Sequence, residues 1–183
     1  MDGLDHLPLS GRTISVSGAA LPMLLGQPTL VFSSLSGTDN LNELFEYDLE
    51  LRTPDERNAI YGPAADLDKK TLEGTEVTIR IELDGSGIGL QSGTGAGTRE
   101  ITGIVTRVRG PYLVGRHIAY RLTLRPWLWL ATLRSDYKIY QEMNVVQILD
   151  ALLGNYIYPV EKRLDVRRYP KRVFQQQYGE TDF

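Results

Sequence analysis

The side chains that could carry chemistry are few and widely spaced in the sequence. The chain has two histidines, His6 and His117, and no cysteine. Neither histidine has a second one three or four residues away, as a helical metal site requires, and the lack of cysteine removes thiolate nucleophiles and cysteine metal sites. No G-x-S-x-G motif is present to supply a nucleophilic serine. We therefore predict no metal and no catalytic histidine, with His6 in an exposed tail and His117 in an exposed turn.

Two pairs of carboxylates have the spacing to be considered as a general acid and base. Paired carboxylates do this work in glycosidases, where they flank a substrate cleft. Glu46 and Asp48 fall on the polar face of a predicted strand, and Asp66 and Asp68 precede two lysines in a predicted loop. Nothing in the pattern predicts a cleft beside either pair. A hydrolase that uses Glu46 and Asp48, or His117, is therefore only a third hypothesis, and we expect the chain not to be an enzyme.

A segment rich in glycine and serine, residues 84–98, invites comparison with phosphate-binding loops. A P-loop requires a lysine and then serine or threonine after its last glycine, whereas Gly97 is followed by Thr98 and Arg99. The glycines of residues 93–97 also lack the spacing of the dinucleotide-binding fingerprint. We interpret the segment as a long hairpin tip and predict no cofactor.

The overall composition limits the classes of partner. Apolar residues make up 42% of the 183 residues, and the formal net charge is −3. A sizeable core is therefore expected, and the acidic balance argues against a nucleic-acid partner. No apolar run approaches the roughly 20 residues that span a bilayer, and the N-terminus lacks the pattern of a signal peptide. We expect no membrane insertion, and any export to proceed without a conventional signal peptide.

The first half of the chain is predicted to be mainly β. Residues 44–51 and 75–83 alternate apolar and polar side chains, which is typical of half-buried antiparallel strands. Residues 101–108 and 120–124 are further strands, and Gly103 is expected to mark a bulge or a tight bend. Weaker strand patterns span residues 13–17 and 30–34. Such strands with turn-rich spacers predict a barrel or a sandwich.

The pattern changes after Pro126, which suits the first turn of a helix, so that residues 127–133 are predicted to form about two helical turns. Residues 138–142 and 173–178 look extended. The last residues, Thr181 and Asp182, resemble a helix start, and we expect the chain to be cut short there.

The clearest helix signal lies between the two extended segments. Asn144 and Gln147 have the spacing of a capping box. The apolar residues that follow recur at helical spacing through residues 145–153, and Gly154 suits the end of the helix. We predict an amphipathic helix here.

Trp127 and Trp129 raise the question of a binding platform. On an α-helix, residues two apart point about 200° from each other, whereas stacking of a ligand requires both rings on one face. We expect one ring to cap the barrel end and the other to pack beneath the following helix or at a subunit contact. The alternative is an OB-like barrel that binds oligosaccharide or single-stranded nucleic acid through these rings and the basic residues 161–172. That basic run is otherwise a solvated segment or a contact for an acidic partner surface.

Several segments, taken together in their order and spacing, resemble a known family. They are residues 41–51, 99–108, 120–141, 144–153 and 174–183. They are similar to the N-terminal region of VgrG proteins, which form the spike of the bacterial type VI secretion system, and to the hub of contractile phage tails. The most specific parts are the P-W-L-W-L run with the K-I-Y-Q strand after it, and the ending Q-Y-G-E-T-D-F. The signature positions are Phe45, Tyr47, Gly103, Pro126, Trp127, Trp129, Gln141, Tyr178, Glu180 and Asp182.

The resemblance implies an antiparallel β-barrel of the phage tail hub type followed by short helices. Residues 1–125 would be an N-terminal tail and the first hub-like barrel, and residues 126–183 a mixed segment that begins the region between two barrels. The resemblance also implies a structural spike component, assembled as a pseudo-six-fold homotrimer that docks on the hexameric Hcp tube and carries secreted effectors or adaptors. Assembly in the bacterial cytoplasm and export to the extracellular space or a target cell would follow.

Overall fold

The computed structural model describes residues 13–24, 26–54, 67–83 and 96–183 of the chain. It divides into two compact units, Met1–Pro126 and Trp127–Phe183. The predictions made for His6, Asp66 and residues 84–95 lie outside the described residues. Among the described helices, none is both long and apolar enough to cross a membrane.

The first unit is built from antiparallel strands. The described strands are β1 (Ile14–Ser17), β2 (Met23–Leu24), β3 (Gln27–Pro28), β4 (Val31–Thr38), β5 (Glu46–Arg52), β6 (Glu76–Leu83), β7 (Gly97–Val114) and β8 (His117–Arg125). Six of them form one sheet in the order β1-β6-β7-β8-β5-β4, and β2 pairs with β3. A short helix, α1 (Lys69–Leu72), precedes β6.

The sheet curls because one face of each central strand is apolar. Leu49 and Leu51 on β5, and Leu122 and Leu124 on β8, are fully buried. The strands at the two ends of the order, β1 and β4, approach each other and pack side chains against the same core. The alternation read in residues 44–51 and 75–83 thus produces a barrel-like wall with a polar outer face, and the prediction of an antiparallel β fold is confirmed.

β7 is longer than the sequence predicted, and its irregularities lie elsewhere than expected. Register with β8 shifts between Val105 and Arg107 and again between Arg109 and Tyr112. Gly103 pairs with Val77 in regular register, so of the two expectations for this glycine the bulge was wrong and the tight bend stays a prediction. A Cβ at Gly103 would lie 3.1 Å from the Leu124 Cβ. Because glycine has no side chain, β7 can pack closely against Leu124 of β8 at this position.

The second unit alternates helical turns with two strands. A 3-10 helix (Trp127–Leu133) is followed by β9 (Ser135–Met143), α2 (Val145–Leu153), a 3-10 turn (Val166–Arg168) and β10 (Arg172–Thr181). β9 and β10 pair antiparallel to form a ribbon. The capping box is confirmed, because the Gln147 amide donates to the Asn144 side chain at 2.9 Å and the Asn144 amide donates to Gln147 at 3.0 Å.

Two predictions for the second unit need correction. The segment after Pro126 is a 3-10 helix with about three residues per turn, so the step from Trp127 to Trp129 is a rotation of about 240° rather than about 200°. Thr181 does not begin a helix, because it is the last residue of β10 and pairs with Ser135.

Candidate assembly surfaces and signature residues

The carboxylates considered for catalysis lie on the outer face of β5. Arg125 on the neighbouring strand donates to Glu46 through Nε at 2.8 Å, and the Thr123 hydroxyl donates to Asp48 at 2.9 Å. Both carboxylates line a groove of about 380 Å³ with residues 36–38, Glu43 and residue 44. These are ordinary cross-strand contacts on the polar face of a sheet. They do not call for a catalytic role of either carboxylate.

The sequence predicted His117 to lie in an exposed turn, and this prediction was wrong. His117 is the first residue of β8, is half-buried, and its Nδ1 lies 2.8 Å from the Thr53 carbonyl oxygen, to which an N–H at that position donates. The register of β5 with β8 places His117 at the opposite end of these strands from Glu46. Within the residues that the structure describes, no three His, Asp or Glu side chains gather as a metal site would require.

Three signature positions of the barrel come together at one end of its core. The Phe45 and Tyr47 rings are 5.4 Å apart and tilted by 45°. A Cβ at Gly103 would lie 3.4 Å from the Phe45 ring, so β7 passes close beneath it. Phe45 packs against the core as a half-buried residue, and Tyr47 is part of the core. Phe45, Tyr47 and Gly103 therefore lie in contact with one another at the packed interior of the barrel.

Trp127 and Trp129, beyond Pro126, are half-buried. The Trp127 ring stacks on Tyr158 with centroids 5.3 Å apart and planes 14° from parallel, and it lies 6.0 Å from the tilted Tyr156 ring. Trp127 therefore packs against the segment that follows α2, and one face of its ring is already covered. The Trp129 carbonyl accepts a hydrogen bond from Thr132. This packing lends no support to the alternative of an OB-like stacking platform.

Asp182, the most buried of the signature residues in the second unit, is the centre of a polar cluster. Its side chain is 0% exposed. It accepts hydrogen bonds from the Tyr156 hydroxyl at 2.9 Å and the Gln177 amide at 3.0 Å, and the Arg134 Nε lies 3.8 Å away. The oxygen of Gln177 faces the Tyr140 hydroxyl at 3.4 Å. Burial, and then the hydrogen bond to Asp182, raises the pKa of Tyr156 above its ordinary value, so Tyr156 stays a donor.

Two other signature residues of the ribbon, Gln141 and Tyr178, lie on the side away from that cluster. Tyr137 and Tyr178 face each other across the ribbon, with rings 5.2 Å apart in an edge-to-face contact, and are 70% and 72% exposed. By the register, one side of the ribbon carries Tyr137, Ile139, Gln141, Phe174, Gln176 and Tyr178, which we call the ribbon face. Glu180, after the register shift, is exposed. Four large apolar side chains, Tyr137, Ile139, Phe174 and Tyr178, therefore lie exposed on one face of the ribbon.

A second exposed apolar surface lies at the turn between β7 and β8. Tyr112, Leu113 and Val114 are all exposed, and we call them the hairpin tip. The sequence analysis missed this surface, although three consecutive apolar residues beside Gly115 were a visible signal. The basic side chains between residues 161 and 172 are exposed as well, with Lys162 paired to Asp150 and other pairs formed within the run. Exposed pairs of this kind contribute little to stability.

The geometry of the first unit defines a class of protein module: an antiparallel, barrel-like β wall with an apolar core and a polar outer face. A sequence model of the family described as "Phage tail baseplate hub (GPD)" matches residues 38–183. The chain belongs to this family. The resemblance to VgrG and phage tail hub proteins that the sequence indicated is thereby confirmed.

Curated relatives and solved structures agree with this assignment. The chain is 31% identical over 159 residues to the type VI secretion system spike protein VgrG1c of Pseudomonas aeruginosa, covering 87% of this chain and 19% of that protein. VgrG1a of the same organism is 28% identical, with 87% and 22% covered. The chain thus spans about a fifth of the length of these relatives.

Two solved structures share the fold. One is the E. coli c3393 protein, described as a component of the type VI secretion system with structural similarity to the T4 bacteriophage tail proteins gp27 and gp5. It has a TM-score of 0.60 and 20% identity, covering 91% of this chain and 40% of that one. The other, a tail protein from Neisseria meningitidis MC58, has a TM-score of 0.50 and 15% identity, with 94% and 42% covered.

Proposed function

We propose that this chain is a structural hub module of a type VI secretion spike. Its membership of the baseplate hub family over residues 38–183 is the observation that carries the proposal. The similarity to VgrG proteins supports the type VI secretion system in particular, since those relatives are described as spike proteins of that system. In this proposal the module makes and breaks no covalent bond and works through its shape.

The proposed assembly is a pseudo-six-fold homotrimer of the whole protein that docks end-on to the hexameric Hcp tube and carries effectors or adaptors. A closed ring needs a head-to-tail contact, in which different patches of each copy meet. A barrel suits this task because a buried apolar core, with Leu49, Leu51 and Leu122 fully buried, holds its wall together and leaves the outer face for contacts. Assembly would take place in the bacterial cytoplasm, before export.

The same proposal assigns a role to each of the two units and to the signature residues. The first unit would be the first hub barrel, with Phe45, Tyr47 and Gly103 setting its packing. The second unit would begin the region between barrels. The hairpin tip and the ribbon face are the described surfaces that offer apolar area to copies or to the tube.

Binding to purified Hcp hexamers, measured by biolayer interferometry on the immobilised chain, tests the proposal. We expect Leu113→Glu in the hairpin tip or Ile139→Glu in the ribbon face to weaken binding at least tenfold, because each would bury a charge in an apolar contact. The matched controls are Leu41→Glu and Ile157→Glu, at exposed positions outside both surfaces. They should bind as the parent chain does.

Negative-stain images of the complete protein mixed with Hcp provide the second arm of the test. End-on attachment to the tube is the expected result. Failure of the complete protein to attach, together with no Hcp binding by this chain, would refute the proposed role. Equal binding by all four variants would leave docking intact but would exclude the two surfaces as the contact.

A further inference from the structure

The second unit has little apolar core of its own. Its described residues include only three buried apolar side chains and an equal number of buried polar ones. These are Ala131, Tyr140 and Val146, and Asn144, Gln177 and Asp182. A unit with so little apolar burial needs another source of cooperativity, because ordering each residue costs about 1–2 kcal/mol of backbone entropy.

The polar cluster around Asp182 joins segments that are far apart in the sequence. The Asp182 amide donates to the Arg134 carbonyl at 3.0 Å, which fastens the end of β10 to the start of β9. The Asp182 carboxylate accepts from Tyr156 at 2.9 Å. Tyr156 is itself held to the end of α2, since its amide donates to the Leu153 carbonyl at 3.0 Å. Asp182 therefore connects the three elements, through its backbone amide to the start of β9 and through its carboxylate to β10 and to the segment after α2.

Each oxygen of the buried carboxylate accepts a hydrogen bond, which makes the cluster sensitive to change. The Gln177 amide nitrogen donates both to Asp182 and to the Glu180 carbonyl, each at 3.0 Å. The Arg134 guanidinium is half exposed and too distant for a close ion pair, so neutral donors supply most of the contacts. Loss of the carboxylate would leave the Tyr156 hydroxyl and one of the two N–H groups of the Gln177 amide without an acceptor, and buried donors without an acceptor are costly.

We propose that Asp182 is a positioning residue that makes β9, β10 and α2 open and close as one cooperative unit. The side chains of Tyr140 and Gln177 lie on the side of the ribbon opposite Tyr137 and Tyr178. The cluster therefore also holds the ribbon from behind and fixes the direction in which the ribbon face points. This inference rests on the hydrogen bonds alone and is independent of the proposed function.

Native-state amide hydrogen exchange on the full chain tests the proposal. In Asp182→Asn, one acceptor oxygen becomes a donor that faces another donor. We expect exchange of the β9–β10 ladder amides and of the α2 amides, such as that of Ile148, to rise by a similar factor of at least tenfold. Amides of β5 and β8 in the first unit should be unchanged. Glu180→Gln, which alters an exposed carboxylate on the same strand, should leave every amide as in the parent chain.

Tyr156→Phe provides a milder variant in case Asp182→Asn fails to fold. It should accelerate the same amides by a smaller factor, and the double variant should exchange no faster than Asp182→Asn alone, because both changes break one connection. Two results would overturn the proposal. One is acceleration confined to residues 178–183, and the other is additive effects of the two substitutions on α2.

Discussion

Substitution of Gly37 by alanine tests whether the close approach of β4 to β5 closes the barrel wall. Gly37 pairs with Tyr47 in the register of these strands. A Cβ at position 37 would lie 2.6 Å from the Tyr47 Cδ1 and 2.8 Å from its Cα, and closer still to the Glu46 carbonyl oxygen. Two of these three neighbours are backbone atoms, so a side-chain rotation cannot relieve the overlap.

The expected cost follows from what must move. β4 has to retreat from β5 by a substantial part of an ångström, and strain of this kind costs about 1–3 kcal/mol. Each ladder hydrogen bond weakened at the same time adds about 1 kcal/mol. A loss of about 3 kcal/mol in the free energy of unfolding of the first unit is therefore expected, with a fall in Tm of about 10 °C.

Urea unfolding followed by far-UV circular dichroism measures this loss, and Gly97→Ala is the matched control. Gly97 also lies in a strand, yet a Cβ there would meet nothing within 4 Å. Removing a glycine at an open position stabilises by about 0.4–1 kcal/mol through the unfolded chain. If Gly37→Ala unfolds within about 0.5 kcal/mol of the parent chain, the barrel wall does not depend on this contact and the packing argument fails.

Three further predictions concern the core, the surface and the cluster. Leu122→Ala, at a fully buried position of β8, should lower the free energy of unfolding by about 2–5 kcal/mol in urea melts; a loss below about 1 kcal/mol would contradict its place in the core. Glu46→Gln removes an exposed pair with Arg125 and should cost less than about 1 kcal/mol, a difference that 1 M salt abolishes. The pKa of Tyr156 is raised above 10.0 in the folded chain, so the folded state keeps this proton to a higher pH than the unfolded state does. The contribution of Tyr156 to the free energy of unfolding is therefore intact below pH 10.0 and is lost as the pH rises through the folded pKa. Unfolding of the second unit monitored from pH 8 to pH 11.5 should show this decline in the parent chain, and an equal decline in Tyr156→Phe would show that another group causes it.

The sequence revealed those features that depend on neighbours a few residues apart. The alternation of Tyr47, Leu49 and Leu51 set which face of β5 is buried, and the three-residue spacing of Asn144 and Gln147 set where α2 begins. Period-2 and capping patterns are local, so one sequence is enough to recognise them. The roles of the signature positions and the assignment of the two units to parts of a hub stay predictions.

Features that depend on distant partners were out of reach. Asp182 looked like part of a helix start, because a Thr-Asp pair is a common capping signal. Its real partners, Tyr156 and Arg134, lie 26 and 48 positions away, a distance at which no pattern in one sequence connects them. The register shifts of β7 were missed for a similar reason, since they depend on how β8 pairs with it.

The orientation of the ribbon shows most clearly what sequence periodicity leaves undecided. Period-2 alternation separates Tyr178 from Gln177, but it does not say which of the two faces inward, and the usual rule would bury the aromatic residue. The structure buries Gln177, because its amide completes the cluster with Asp182, and leaves Tyr178 exposed. A ribbon that buries its polar side and exposes its apolar side is stabilised from behind by hydrogen bonds. Its apolar side is then free to contact another protein surface, and this inversion is the physical reason for testing the ribbon face as an assembly contact.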